Sequence, residues 1–147
     1  MATALFVAVL LVVIGIVQGV IWFSIIRALR RLTTKLGHEL RGTPIVRGPE
    51  RVHYQGATGS GPYPRARGFV AVALTRDRLV VRRLAVRGFD VPLREIKQVS
   101  QQLRWNGRYR NGKAHVVIET RGGAFAIQPA DPGAWIAAVE ETLPPRA

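Results

Sequence analysis

From Ala2 to Ile26 the chain carries no charged side chain, and only Thr3, Gln18 and Ser24 are polar. As a helix this run is ~37 Å long at ~1.5 Å per residue, enough to cross a hydrocarbon core of ~30 Å with some tilt. A helix in the core of a water-soluble fold keeps a polar stripe, and this run has none. Residues 1–26 therefore read as a single transmembrane helix. Whatever follows must fold as a domain hung from one end of it.

The flanks orient the span. Only Met1 precedes the run, whereas Arg27, Arg30, Arg31 and Lys35 follow it with no acidic residue until Glu39. Cations just beyond a span are retained on the cytoplasmic side. The expected arrangement is a single pass of the plasma (inner) membrane, N-terminus outside and C-terminal domain cytoplasmic. Trp22 and Phe23 lie one turn before the arginines, where aromatic rings favour the headgroup layer. Trp22, Arg27, Arg30, Arg31 and Lys35 are thus the expected juxtamembrane lipid contacts. A cleaved secretory signal would carry its charge before a shorter apolar core, the reverse of this pattern. Within the span Gly15 and Gly19 form a G-x-x-x-G pair on one helix face, a candidate contact for a homodimer.

Residues 27–43 read as a basic juxtamembrane helix and linker. Leu29, Leu32, Leu36 and Leu40 recur at helical spacing, as in an amphipathic turn at the lipid surface or a plain stop-transfer flank. Gly37, Gly42 and Pro44 are expected to break it. The remaining residues, 44–147, suit one compact domain.

That domain is basic. The whole chain carries a formal charge of +13, and beyond the juxtamembrane cluster cations still outnumber the 9 acidic groups. An excess of this kind draws a domain to anionic surfaces, of which the inner leaflet is nearest for a tethered one. All but three of the 22 cations are arginine, which a GC-rich genome also produces. The chain has no cysteine, which excludes disulfides, thiolate metal sites and cysteine nucleophiles.

Short apolar runs then succeed one another between turn residues. Strands are expected around Arg51–Gln55, over Phe69–Thr75 (apolar throughout, hence buried on both faces), Arg78–Val86, Phe89–Leu93, Val99–Trp105, Ala114–Thr120 and Ala124–Gln128. Adjacent Arg82 and Arg83 imply that one points to the interior side or marks a bulge. Pro92 suits a strand near an edge. Asn106-Gly107 and Asn111-Gly112 are turn dipeptides that predict a hairpin into the next strand. The period then changes. Asp131 is a good N-cap and Pro132 a good first helical residue, with Trp135, Ile136, Val139 and Leu143 on one face before Pro144-Pro145. About seven antiparallel strands in a sandwich or barrel, closed by a terminal helix, is the expected fold.

This order resembles the pleckstrin-homology-like (PH-like) superfold, including its bacterial and GRAM-type members. Ala73-Leu-Thr-Arg-Asp-Arg-Leu-Val-Val81 is similar to its Leu-Thr-x-x-x-Leu hairpin, Val91-Pro-Leu-Arg-Glu-Ile96 to its Ile-Pro-Leu-x-x-Ile strand ending, and Asp131–Leu143 to its closing helix. The likeness spans roughly residues 45–143. In phosphoinositide-binding members the first inter-strand loop presents a lysine, a gap and then Arg/Lys-x-Arg. Arg65-Ala-Arg67 matches the second half, while His53 and Gln55 stand where the lysine would be. The resemblance thus implies Arg65 and Arg67 as ligand contacts and loose attraction to anionic headgroups.

No motif points to catalysis. Gly56–Gly61 is followed by Pro62 and Pro64 and a strand, where a phosphate-cradling loop needs a helix N-terminus, so a mobile connection is expected. His38, His53 and His115 show no ligand spacing and read as surface residues. The carboxylates are scattered singly, mostly beside cations. The stretch Leu103–Lys113 interleaves Arg104, Arg108, Arg110 and Lys113 with Trp105 and Tyr109, as in membrane-dipping loops or single-strand nucleic-acid readers, or in a solvated hairpin with Trp105 packed inward.

The sequence therefore predicts a non-enzymatic, membrane-tethered binding or scaffold module without cofactor or metal. Its contacts are Arg65, Arg67, Arg104, Trp105, Arg108, Tyr109, Arg110 and Lys113. Its expected partners are the anionic inner leaflet and an acidic protein. The alternatives are a structural subunit assembled through its helix and, less favoured, a tethered nucleic-acid binder.

Overall fold

A computed structural model describes residues 1–109 and 112–145. The apolar run begins a single helix, α1 (Ala2–Glu39), that runs on through the basic juxtamembrane residues and ends between Gly37 and Gly42, two of the three expected breakers. It is the one helix among the described residues long and apolar enough to cross a membrane, and residues 2–24 are exposed throughout. Gly37 does not end it. The glycine lies near Pro49, and a Cβ there would make only ordinary contact with the proline ring at 3.8 Å. The helix closes at Leu40, and Gly42 turns the chain at φ +84°, a conformation that glycine adopts without strain.

Nine strands follow: β1 (Ile45–Thr58), β2 (Gly68–Thr75), β3 (Arg78–Arg83), β4 (Phe89–Pro92), β5 (Ile96–Gln102), β6 (Arg104–Trp105), β7 (Arg108–Tyr109), β8 (His115–Thr120) and β9 (Gly123–Gln128). Seven form one antiparallel sheet in the order β4-β3-β2-β1-β9-β8-β5. β1 is the longest because it serves both halves. Ile45–Tyr54 pairs with β2 and His53–Thr58 with β9. β4 lies at the sheet edge, where Pro92 leaves no ladder donor missing. The helix α2 (Pro132–Thr142) starts where its cap signals place it, the Asp131 carboxylate accepting the Ala134 N–H at 3.0 Å.

The inner face of the curled sheet carries the main core, in which Val52, Val72, Leu79, Ile118 and Ile127 pack with Trp135 and Val139 of α2. Tyr54, Tyr63, Phe89 and Phe125 form a ring cluster with centroids 4.9–5.9 Å apart, a spacing that adds to their burial. The Trp135 indole also donates to Glu50 at 2.9 Å.

The apolar stretch of β2 is buried on both sides because α1 covers the second one. Leu36 and Leu40, with Leu32 beside them, lie on Ala71, Ala73 and Val80. Two alanines on that face let the helix come close. Leu29 and Leu36, read from sequence as residues of a lipid-surface helix or flank, are buried in the protein. Residues 27–40 are therefore an integral layer of the fold.

Arg82 shares this helix-facing side, pairing in register with Ala71, while Arg83 opposite Val70 lies on the core side at the strand end. No bulge separates them. Arg82 clasps Glu39 of α1 through three hydrogen bonds of 2.6–3.2 Å and reaches Asp90 at 2.6 Å. Asp90 also accepts from Arg78 at 3.0 Å.

Three local expectations are corrected. The loop after β1 is pinned. Tyr63 is buried with its hydroxyl 2.9 Å from the Thr120 hydroxyl, and the Tyr54 hydroxyl donates to Pro64 O at 2.8 Å. Asn106-Gly107 turns a separate small hairpin, β6–β7, rather than joining β5 to β8. His115 is not at the surface but buried, opposite Gln102 where β8 begins. Asn111, of the second turn dipeptide, lies outside the described residues.

Candidate anion-binding site

The pinned loop and the small hairpin define a hollow of about 460 Å³ into which Arg65, Arg67 and Arg108 converge. Two ties set its floor. The Ala57 N–H donates to Pro64 O at 3.2 Å, which brings the end of the loop back against β1. The Trp105 indole donates to Gly56 O at 3.0 Å, which fastens the hairpin to the same strand. Gly56 has φ +90°, and a Cβ there would collide with the Arg65 backbone, so this close approach requires glycine. Arg65 donates to Gly59 O across the loop, orienting its guanidinium.

Gln55, Thr58 and Asn106 supply further polar lining, and among the described residues no carboxylate lines the hollow. Three guanidiniums without a counter-charge, on a scaffold tied by hydrogen bonds, can hold a carboxylate or phosphate through charge-assisted and bidentate bonds. Gln55 is buried and turned toward His53, 2.8 Å from its Nδ1.

The other candidates from the sequence lie elsewhere. Trp105 is 9% exposed, packed on Val117 and Ala126, so the hairpin presents Tyr109 to solvent and keeps its indole as a prop. Arg104 and Lys113 are exposed but do not line the hollow, and Arg110 lies outside the described residues. Arg27, Arg31 and Lys35 line a separate cleft beside α1 with the β3–β4 turn, whereas Arg30 faces Arg51 on another side of the helix. Trp22 is exposed, and a Cβ at Gly15 or Gly19 would meet nothing within 4 Å.

The perturbed ion pair is the helix clasp, away from the hollow. The Glu39 carboxyl is held below its ordinary range, first by the hydrogen bonds from Arg82, against a smaller opposing effect of burial. Arg82 is raised in turn, chiefly by its bond to Glu39. Burial raises the Tyr54 phenol, keeping it a neutral donor to Pro64. Among the described residues no group of three His, Asp or Glu could hold a metal ion.

Sequence reasoning missed the cations and apolar residues at the β3–β4 turn. The signal was there in Arg83-Leu-Ala-Val-Arg87, where apolar residues stand between arginines in a turn instead of inside a strand. Compared with known proteins, the chain matches no protein-family model and no curated protein.

Proposed function

We propose that this chain is a non-catalytic, single-pass membrane protein. In this reading a PH-like domain abuts the cytoplasmic leaflet of the plasma membrane and binds an acidic segment of a partner protein. The observation that carries the binding reading is the convergence of Arg65, Arg67 and Arg108 from two separate loops on one carboxylate-free hollow. Its lining holds no large apolar side chain that would suit an acyl tail, which favours a carboxylate-bearing peptide there.

The PH-like assignment is supported by the succession of seven antiparallel strands and a closing helix. It is supported too by the Leu-Thr-x-x-x-Leu turn, where the Thr75 hydroxyl donates to Asp77 at 2.6 Å and accepts the Arg78 N–H at 3.2 Å. The sidedness rests on the cationic collar after the span. Burial of Trp105 removes one of the two rings that a nucleic-acid reader would stack on, which counts against that alternative. The open face at Gly15 and Gly19 supports a second reading, assembly through the helix itself.

The test is site-specific photocrosslinking in native membranes with a photoreactive residue in place of Tyr109. One acidic protein should be captured, and Arg65→Glu with Arg108→Glu should abolish the capture. Capture unchanged by those charge reversals, or capture lost only with Gly15→Leu and Gly19→Leu, would transfer the contact from the hollow to the helix. Protease added outside intact cells should leave the β-domain whole.

A further inference from the structure

The β3–β4 turn does not stand free of α1. It lies alongside the helix from Ser24 to Lys35, enclosing a cleft of about 850 Å³ to which the helix gives Arg27, Arg31 and Lys35 and the turn gives Arg87. None of these four has an ion-pair partner among the described residues, the paired arginines being Arg47, Arg78 and Arg82. The apolar part of the lining comes from Ala28 and Leu32 on the helix and from Leu84 and Val86 on the turn. Leu84 and Val86 are 40% and 54% exposed, flanked by arginines on both sides. Phe69, also exposed, opens β2 beside Ile25, Leu84 and Val86 in an adjoining crevice.

These positions have a definite height along the rod. Ser24 and Ile25 belong to the last turn of the apolar run, so a helix spanning the bilayer through residues 2–26 sets the turn's apolar residues at the membrane surface. The polar interface is ~5–8 Å deep on each side of the hydrocarbon core, while the ~11 residues from Ser24 to Lys35 rise ~17 Å. The cleft thus starts at the acyl boundary and ends in water. Its apolar lining meets the depth of the glycerol and upper acyl chain, and its cations meet the depth of the phosphate.

We infer that this cleft seats one anionic phospholipid of the cytoplasmic leaflet. The headgroup phosphate lies among Arg31, Lys35 and Arg87, with the chain passing down beside Leu84 and Val86. The volume is of the size that encloses a small ligand. Four cations lining one cleft beside the membrane surface attract an anion. This inference shares with the proposed function only the premise that α1 spans the bilayer. It is independent of the arginine hollow.

The experiment uses the full chain in mild detergent micelles containing equal phosphatidylglycerol and phosphatidylcholine, read by native mass spectrometry. One phosphatidylglycerol should be retained in preference to phosphatidylcholine, and Arg31→Gln with Arg87→Gln should weaken retention roughly tenfold or more, the effect of removing two cations from an anionic surface. Arg65→Gln with Arg108→Gln should leave retention unchanged. Equal retention of both lipids, undiminished retention in the Arg31/Arg87 variant, or complete displacement by soluble glycerol phosphate would each overturn the assignment.

A second reading needs no lipid to be retained. Because the chain lacks cysteine, a single Val86→Cys can carry an environment-sensitive fluorophore in reconstituted vesicles. Its emission should shift blue and be quenched by spin-labelled lipid, and the same label at Ile45, exposed beyond the end of α1, should do neither. Matching behaviour at both positions overturns the placement. Alkaline extraction of the same membranes reports separately whether α1 is inserted, so loss of the lipid site and loss of the span give different results.

Discussion

The sheet has two outer faces, and the chain covers them by unlike means. Over β2 and β3 lies the emergent part of α1, with Leu36 and Leu40 on Ala71, Ala73 and Val80 and the Arg82–Glu39 clasp at its end. Over β8 and β9 lies one indole, Trp105, on Val117 and Ala126, with a single hydrogen bond to Gly56. A helical cover carries orientation, because the same rigid rod continues into the apolar run. A one-ring cover carries none; it seals the face and props the hollow. Damage to the first should free the domain from its rod and leave the β-core folded. Damage to the second should cost the β-core itself.

Leu36→Asp should break this contrast most strongly. It removes a fully buried side chain and strands a carboxylate against alanines, about 4–5 kcal/mol against docking. Limited proteolysis of the full chain should then cut between residues 37 and 44 while the strands keep their hydrogen-exchange protection. If the strands lose protection together with the docking, the two covers are not separable.

Trp105→Ala should lower the stability of the β-domain by about 3 kcal/mol, read by chemical denaturation in detergent. It should also weaken the anion binding proposed for the hollow, since the hairpin carrying Arg108 loses its tie. Trp105→Phe sharpens the point. Most of the packing stays and only the indole donor goes, for about 1 kcal/mol.

The clasp is a smaller matter. Both partners are partly exposed, so Glu39→Gln should weaken docking by only about 0.5–1 kcal/mol. Its pH dependence has a definite sign. Glu39 has its folded value depressed by Arg82, so the contribution is complete above the ordinary carboxylate range. It is lost as pH falls through the lower folded value. Proteolysis of the 37–44 segment should therefore rise on acidification in the native chain and stay flat in Glu39→Gln.

The smallest effect belongs to the turn beside α1. Ala85 sits at φ 59°, a left-handed conformation that costs an L-residue ~1–2 kcal/mol, partly offset in a glycine variant by its freer unfolded chain. Ala85→Gly should thus raise stability by about 0.5 kcal/mol and leave both covers intact.

Much of the β-domain was legible along the chain. The short runs Ala114–Thr120 and Phe69–Thr75 and the cap at Asp131-Pro132 each found their element. Arg65, Arg67 and Arg108 were all legible as candidates, but that Arg108 lies beside the other two follows only from an Asn-Gly turn that folds a separate hairpin against β1. The loop around Tyr63 was read as mobile since glycines and prolines dominate its composition, whereas burial of one phenol pins it. Leucines 29 to 40 showed an apolar stripe without showing what it faces.

The sequence by itself determined what depends on neighbours a few residues apart. These are a run long and apolar enough to span a bilayer, a cationic collar after it, strand and helix periods, and turn chemistry. Only the tertiary structure decided which surfaces meet. Glu39 finds Arg82 across 43 residues and Trp105 finds Gly56 across 49, contacts that no local pattern encodes. Such pairings follow from how whole faces exclude water together. That joint burial makes the leucine stripe a weld rather than a lipid raft-board, and brings scattered arginines into one hollow and one cleft.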